Sequence, residues 1–200
     1  MNIIQIGCND CNDHVSRYVD NNNDKIDHLI LIDIDKSFID HANRVYKNVK
    51  QLTTIVSAIT PDINQKEITL YHLKNNMFSG HTSFSYDHML VHRHPPENIV
   101  EVDHPSRTIT SVLEEYNIKD IERLYIDTEG LDVDILYTID YNKYNVSHIT
   151  FEHVHCGGAC KGKSNSPKLT QFLNYMNMKG YSNKQSRTDP SLNTDLTKRK

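Results

Sequence analysis

Asn2-Ile3-Ile4-Gln5-Ile6-Gly7 is a short apolar run that stops on a glycine, and His28-Leu29-Ile30-Leu31-Ile32-Asp33 repeats the pattern with an aspartate at its end. Apolar runs this short, with no polar alternation, are expected of strands buried on both faces, as in a parallel sheet. Between them Asp13 is placed to cap a helix over Val15–Val19, which Asn21-Asn22-Asn23-Asp24 breaks because Asn and Asp favour turns. Further on, Ser37 and Asp40 make a loose capping box, with Phe38, Ala42 and Val45 at helical spacing. Thr53–Ala58 reads as a third strand.

The same alternation returns in the second half. Ser111 and Glu114 form a capping-box pattern ahead of Val112, Leu113 and Tyr116. Arg123–Ile126 is expected as a strand ending at Asp127, and Leu131, Ile135, Leu136 and Ile139 as one face of a helix. His148–Phe151 is a fifth strand, ending at Glu152 and His153. Ser166-Pro167 starts a last helix through Leu169, Phe172, Leu173 and Met176, which Gly180 closes. Residues 60–106 are less regular. Glu67–His72 alternates like a strand, Gly80 lies in a polar stretch, and Pro95-Pro96 ends it, so an insertion with a hairpin and a long loop is expected there. Residues 182–200 are polar and read as a weak edge hairpin or a frayed tail. Strands alternating with helices predict an α/β domain spanning 1–200, with a mostly parallel twisted sheet and helices on both faces.

Composition sets outer limits. A chain of 200 residues is one ordinary domain and should bury roughly 70% of its unfolded surface. With 37% hydrophobic and 24% charged residues, global disorder is excluded. The net charge of −4 argues against a nucleic-acid binder, and Lys198-Arg199-Lys200 reads as a solvated terminus. No apolar run is long enough for a transmembrane helix, and no secretory signal is visible. Cys8, Cys11, Cys156 and Cys160 are therefore expected as reduced thiols in the cytoplasm, or a host's cytoplasm for a viral chain. With 20 Asn, 20 Ile and only 7 Gly, the composition suits AT-rich coding, and each glycine invites a positional explanation.

In such a sheet, ligands bind beyond the carboxyl ends of the strands, where strand order reverses. That gathers Gly7-Cys8-Asn9-Asp10, Asp33, Ser57-Ala58, Asp127-Thr128-Glu129-Gly130 and Glu152-His153. Gly7 would let the backbone approach a ligand, although a tight turn explains it alone. Asp33 could accept from the ribose hydroxyls of an adenosine cofactor, with helix capping as the bland alternative and Asp35 as a rival. Asp127 and Glu129 form D-x-E-G, suited to base, acceptor or metal-ligand roles, unless they merely favour a helix N-terminus. Glu152-His153-Val154-His155-Cys156 with Cys160 raises zinc, but its spacing matches no strong template. Cys8-x-x-Cys11 sits in the proposed cofactor turn, where a redox motif is not expected. His92 and His94, beside Pro95, read as a solvated loop.

These segments together resemble the FkbM-type S-adenosylmethionine-dependent methyltransferases. Thr108-Ile109-Thr110-Ser111-Val112-Leu113, Ile126-Asp127-Thr128-Glu129-Gly130-Leu131-Asp132 and Phe151-Glu152-His153 follow the family's order and spacing. Gln5-Ile6-Gly7-Cys8-Asn9-Asp10 is similar to the family's first turn. The resemblance covers roughly residues 3–181, and D-x-E-G is its most specific part. Cys8 and Cys11 depart from the family's alanine and second glycine, and Asp33-Ile34 stands where Glu-Pro is usual.

The resemblance implies a Rossmann-like class I methyltransferase fold and O-methylation of a hydroxyl on a sugar, glycan or small natural product. Gly7, Cys8, Asn9, Asp10, Asp33, Ser57 and Ala58 are then expected to hold S-adenosylmethionine. Asp127 or His153 is expected as the base, with Glu129 and Glu152 orienting the acceptor or a cation. A divalent metal is expected, if present, at Asp127 and Glu152. Loop 76–94, with Ser79, His81, Thr82, Ser83 and Tyr86, would cover the substrate. The expected partner is a small-molecule or glycan acceptor, with neither nucleic acid nor membrane, and a homodimer left open. The competing readings are a non-catalytic Rossmann-like nucleoside-binding module, which would not need the acids at strands four and five, and a metal-dependent hydrolase.

Overall fold

A computed structural model describes residues 1–74, 82–158, 166–185 and 192–199. The first half of the chain runs β1 (Asn2–Ile6), α1 (His14–Asn22), β2 (His28–Asp33), α2 (Lys36–Val45), β3 (Leu52–Val56), β4 (Ala58–Ile59), β5 (Glu67–Leu73) and α3 (Tyr86–Val91). The second half runs β6 (Ile99–Arg107), α4 (Ile109–Glu115), β7 (Asp120–Ile126), α5 (Asp132–Tyr137), β8 (Asn145–Glu152), α6 (Pro167–Met178), β9 (Tyr181–Gln185) and β10 (Asn193–Lys198).

The continuous apolar runs of β1 and β2 divide between two faces because successive side chains point opposite ways. Ile4, Ile6, Ile30 and Ile32 enter the larger core with Leu124, Ile149, Phe151 and Phe172. Ile3, Leu29 and Leu31 enter the smaller one, against Val15, Val19 and Ala42 of α1 and α2. Every residue of β2 is buried, which is the signature of a strand covered on both sides.

The main sheet has the order β3-β2-β1-β7-β8-β10-β9. The pairs from β3 through β8 are parallel, and β10 joins β8 and β9 antiparallel. The chain travels from β1 to β2 and β3 in one direction and returns to fill the other side with β7 and β8. Strand order therefore reverses between β1 and β7, the geometry that opens a crevice at the strands' carboxyl ends. Among the described residues, no helix is long and apolar enough to cross a membrane.

Three local expectations are corrected. Thr53–Ala58 is not one strand: the chain breaks at Ser57, after which β4 pairs with β6 in a second sheet of order β4-β6-β5. The Ser57 hydroxyl helps fix the break, donating to the carbonyl of Pro105 at 3.1 Å. The caps of α2 and α4 lie further upstream than expected. Asp35 accepts from the Ser37 N–H and Thr108 from the Ser111 N–H, so Ser37 and Ser111 are helical residues. An acid or hydroxyl just before the helix satisfies its orphan N–H groups as well as the residues first chosen.

Among the described residues of 58–107, β5 and β6 pair as an antiparallel hairpin, with α3 between them along the chain. In the described part of 182–200, β10 places Thr194 and Leu196 inward, and β9 is the outermost strand. Gly80, Cys160 and Lys200 lie outside the described residues.

Candidate functional site

The carboxyl ends of four strands are drawn together by backbone bonds. The Gly7 N–H donates to Ile32 O (2.9 Å), the Asp127 N–H to Ile6 O (3.0 Å) and the Ser57 N–H to Asp33 O (2.9 Å). Above these ends lies a cavity walled by Gly7, Asn9, Asp33, Asp35, Ser57, Ala58, Asp127 and Glu129. Phe38, Ile68, Leu70 and Leu131 supply apolar wall, and Thr82 and Ser83 come in from the hairpin insertion.

Asp33 organises the turn after β1. Its Oδ2 accepts from the N–H groups of Cys8 (2.9 Å) and Asn9 (3.0 Å), and its Oδ1 from Asp35 N–H (3.0 Å). Burial pushes this carboxyl up, while the three amides pull the other way by favouring the charged form. Asp35 makes only one such bond, from its Oδ1 to the Ser37 N–H at 2.7 Å.

Of the seven residues expected to hold a cofactor, Gly7, Asn9, Asp33, Ser57 and Ala58 line the cavity, whereas Cys8 and Asp10 do not. Cys8 is turned into the smaller core, where Cys11, burial and the nearby Asp33 push its thiol far up. A thiol held protonated in this way is inert. Asp10 is exposed and turns back to accept from the Asn12 N–H. The conformational demand falls on Asn9 and Cys11, with φ of 45° and 56°. That left-handed geometry fits the position where the family carries glycine.

Gly7 also has a different reason from the one expected. Its φ is +77°, and an added Cβ would overlap the carbonyl oxygen of Asp127. The glycine permits β1 and β7 to close on each other at the crevice floor.

The loop from Asp127 to Asp132 is held by its last residue. Asp132 is buried, and its Oδ2 accepts from Thr128 Oγ1 (2.8 Å), Thr128 N–H (3.3 Å) and Gly130 N–H (3.3 Å). Its Oδ1 accepts from the Glu152 N–H (3.3 Å), joining this loop to the end of β8. Sequence reading gave Asp132 no role; the available signal was an acid directly behind D-x-E-G at a helix start. The loop concentrates acids at the cavity, with Asp127 open to it, Glu129 partly covered and Asp132 buried, and each carboxyl is shifted upward chiefly by desolvation. Asp127 is pushed up to about 6, with Asp13 and Asp33 adding repulsion. Glu129 is pushed up to about 9, with Asp127 and Asp132 adding to it. Asp132 is pushed up to about 7. Glu129 itself adopts φ +55°, a left-handed conformation that non-glycine residues rarely take.

The other strand-end candidates divide. His153 does not line the cavity: its Nδ1 lies 3.1 Å from Thr194 Oγ1 and its N–H donates to Leu192 O, tying β8 to the C-terminal hairpin. The side-chain alternation at the end of β8 turns it toward β10, which sequence reading treated as an edge or tail. Glu152 groups with Glu129 and His155, and a second group joins His88, His92 and His155.

In that cluster Glu129 Oε2 lies 3.4 Å from His88 Nε2 and 3.5 Å from His155 Nε2, and Glu152 Oε2 lies 3.9 Å from His155 Nε2. The His88 and His155 rings are 3.9 Å apart, and those of His88 and His92 are 4.6 Å apart. Burial and the neighbouring His92 push His155 down to about 4. His92 is thus not simply part of a solvated loop. The missed signal was the four-residue step from His88 to His92, which puts both on one side of α3 and its C-cap.

Cys156 packs in the larger core, apart from the histidines. Tyr86 stacks edge-on against Tyr71 rather than entering the cavity wall. Ser79 and His81 lie outside the described residues.

The family model of the methyltransferase FkbM domain matches residues 1–182. Among solved structures, a methyltransferase FkbM from Methylobacillus flagellatus KT is similar with a TM-score of 0.55 and 12% identity, over 98% of this chain and 43% of that one. M. capricolum TrmK, solved in complex with S-adenosyl-homocysteine, matches with a TM-score of 0.44 and 13% identity, over 100% of this chain and 63% of that one. The chain therefore spans less than two thirds of either protein's length. The first similarity supports the Rossmann-like class I methyltransferase fold expected from the sequence. No curated protein matches the chain in sequence.

Proposed function

The chain belongs to the FkbM methyltransferase family, and from that premise we propose that it is an S-adenosylmethionine-dependent O-methyltransferase. The proposed acceptor is a hydroxyl of a sugar, glycan or small natural product. One observation carries this reading: the cavity where strand order reverses has two carboxylates at the β2 end, Asp33 and Asp35, and two more across the floor, Asp127 and Glu129.

The donor set suits a nucleoside cofactor. Asp35, with one bond to its own helix, and Asp33, with three amides, offer acceptors to ribose hydroxyls. Phe38, Ala58 and the neighbouring isoleucines give apolar wall for a base. S-Adenosylmethionine supplies an electrophilic methyl group on a sulfonium. Removing the acceptor's proton falls to Asp127, which faces the cavity and whose carboxyl is raised to about 6 by desolvation and by Asp13 and Asp33, near the working range of a general base. Thr82 and Ser83 offer hydroxyls to orient a polar acceptor.

The competing reading, a nucleoside-binding module without catalysis, gives no reason to crowd Asp127, Glu129 and the buried Asp132 into one loop at the cavity, where neighbouring acids repel. The test is thermal shift with S-adenosylhomocysteine, followed by release of that product from S-adenosylmethionine across a panel of sugars. A ligand of the folded state raises the melting temperature. No rise at millimolar cofactor would remove the proposal. Asp127→Asn is expected to keep the shift and lose turnover. Cofactor binding with no turnover on any acceptor would favour the binding module.

A further inference from the structure

Three histidines and two glutamates from separate segments meet beside the cavity. His88 and His92 come from α3 and its C-cap, Glu129 from the loop after β7, and Glu152 and His155 from the end of β8 and the turn beyond it. We propose that Glu129, Glu152 and His155 form a binding site for one first-row transition-metal ion of the Zn²⁺ class, as three ligands with an open fourth position, and that His88 and His92 stand beside it.

Spacing is the main argument. An ion with tetrahedral bonds of about 2.0–2.1 Å holds its donors roughly 3.3–3.5 Å from one another. Glu129 Oε2 stands 3.5 Å and Glu152 Oε2 3.9 Å from His155 Nε2, and the three donors lie within 4.8 Å of one another. Direct hydrogen bonds elsewhere in this protein close much tighter, as between Thr150 and Asp195 at 2.7 Å.

Donor chemistry agrees. Imidazole nitrogens mixed with carboxylate oxygens suit zinc, iron or nickel rather than the all-oxygen shells of magnesium and calcium. His88 supports Glu129 from the side: its Nε2 lies 3.4 Å from Glu129 Oε2 and its Nδ1 3.0 Å from Ser83 Oγ.

The backbone is shaped to bring these groups together. An added Cβ on Gly130, at φ +120°, would meet Phe84 at 3.0 Å and His155 Cβ at 3.5 Å. The glycine lets the loop carrying Glu129 close onto Phe84, just ahead of the helix that carries His88. Because Glu129 also lines the cavity, the ion would stand where an acceptor oxygen arrives and favour its deprotonated form. That last role rests on the methyltransferase reading; the site itself does not.

The test uses tag-free protein, stripped with chelator and titrated with Co²⁺ as a spectroscopic substitute for Zn²⁺. The expected result is saturable visible absorption at one equivalent, abolished by Zn²⁺. His155→Ala and Glu129→Gln are each expected to weaken Co²⁺ binding by about tenfold or more. Each sample is also heated with and without S-adenosylhomocysteine, so that a variant still stabilised by it is known to be folded. A wild type that shows that stabilisation but no saturable Co²⁺ spectrum at millimolar metal overturns the site. So does an unchanged Co²⁺ affinity in His155→Ala. If Co²⁺ binds at these residues while S-adenosylhomocysteine has no effect, the metal site stands and the methyltransferase reading fails.

Discussion

Gly7 and Asp127 meet backbone to backbone: the Cβ that Gly7 lacks would overlap the Asp127 carbonyl oxygen and lie 3.1 Å from its carbon. The contact closes the floor of the crevice and sets where the Asp127 side chain begins. One glycine thereby couples the first strand's turn to the proposed base.

Gly7→Ala is expected to cost about 2–4 kcal/mol, from left-handed strain plus overlap with fixed backbone. Urea unfolding measures it. A loss below about 1 kcal/mol would mean that β1 and β7 can part at that end without penalty.

Asp33 and Asp35 are expected to separate structure from binding. Asp33→Ala strips the acceptor from three amide N–H groups, a loss of about 2–4 kcal/mol. Asp35→Ala removes one helix cap, worth about 1 kcal/mol. If Asp35 bears the ribose, this milder variant still loses about tenfold in S-adenosylhomocysteine affinity. Calorimetric titration decides, and unchanged affinity would remove Asp35 from the site.

Asp132→Ala should unfold easily because Thr128, Gly130 and Glu152 all lose their shared acceptor. The expected cost is about 3 kcal/mol, with Asp132→Asn milder because it keeps one acceptor oxygen. Equal stability of Asp132→Ala and wild type would show that the loop is held from elsewhere.

His28 supplies a pH signature. It is buried, with its Nε2 2.8 Å from Thr53 Oγ1, and desolvation lowers its pKa in the fold. The unfolded chain then binds the proton more readily, so this group's stabilising share is present above its ordinary pKa of 6.5 and is lost as pH falls through it. The stability difference between wild type and His28→Gln should therefore shrink on acidification from pH about 7.5 to about 5.5. A difference that is flat with pH would contradict a neutral, buried His28.

Much of the fold was readable because β1, β2, β7 and β8 are apolar runs that stop on small or acidic residues, and periodicity reports burial directly. The crevice followed from it, since Gly7, Asp33, Ser57 and Asp127 are the strands' last residues or their neighbours. What distance in sequence hid was side-chain direction. His153 and His155 stand two residues apart, which on a strand would share a face, yet the chain leaves β8 after Glu152 and one meets Thr194 of β10 while the other meets Glu129. Whether α3 would deliver His88 and His92 to the same place depends on how the β5–β6 hairpin lies over the sheet, and no local pattern encodes that. The Ser57 break was hidden for a related reason. Thr53–Ala58 carries strand propensity throughout, and only the partner β6 draws its last residues into another sheet.

The order β8-β10-β9 sets a sequence of events as well as a shape. β9 precedes β10 along the chain and shares no strand ladder with β8, touching it through the Tyr181 hydroxyl on the Val146 carbonyl, so its strand pairing reaches the main sheet through β10. An opening that frees β10 from β8 takes the β9 ladder with it, leaves β9 held by the buried Tyr181, and uncovers β8 as an unpaired edge. The same opening removes Thr194 from His153, at the end of the strand that also carries Glu152. The antiparallel hairpin is thus the natural place for local unfolding to reach the site before the parallel core gives way.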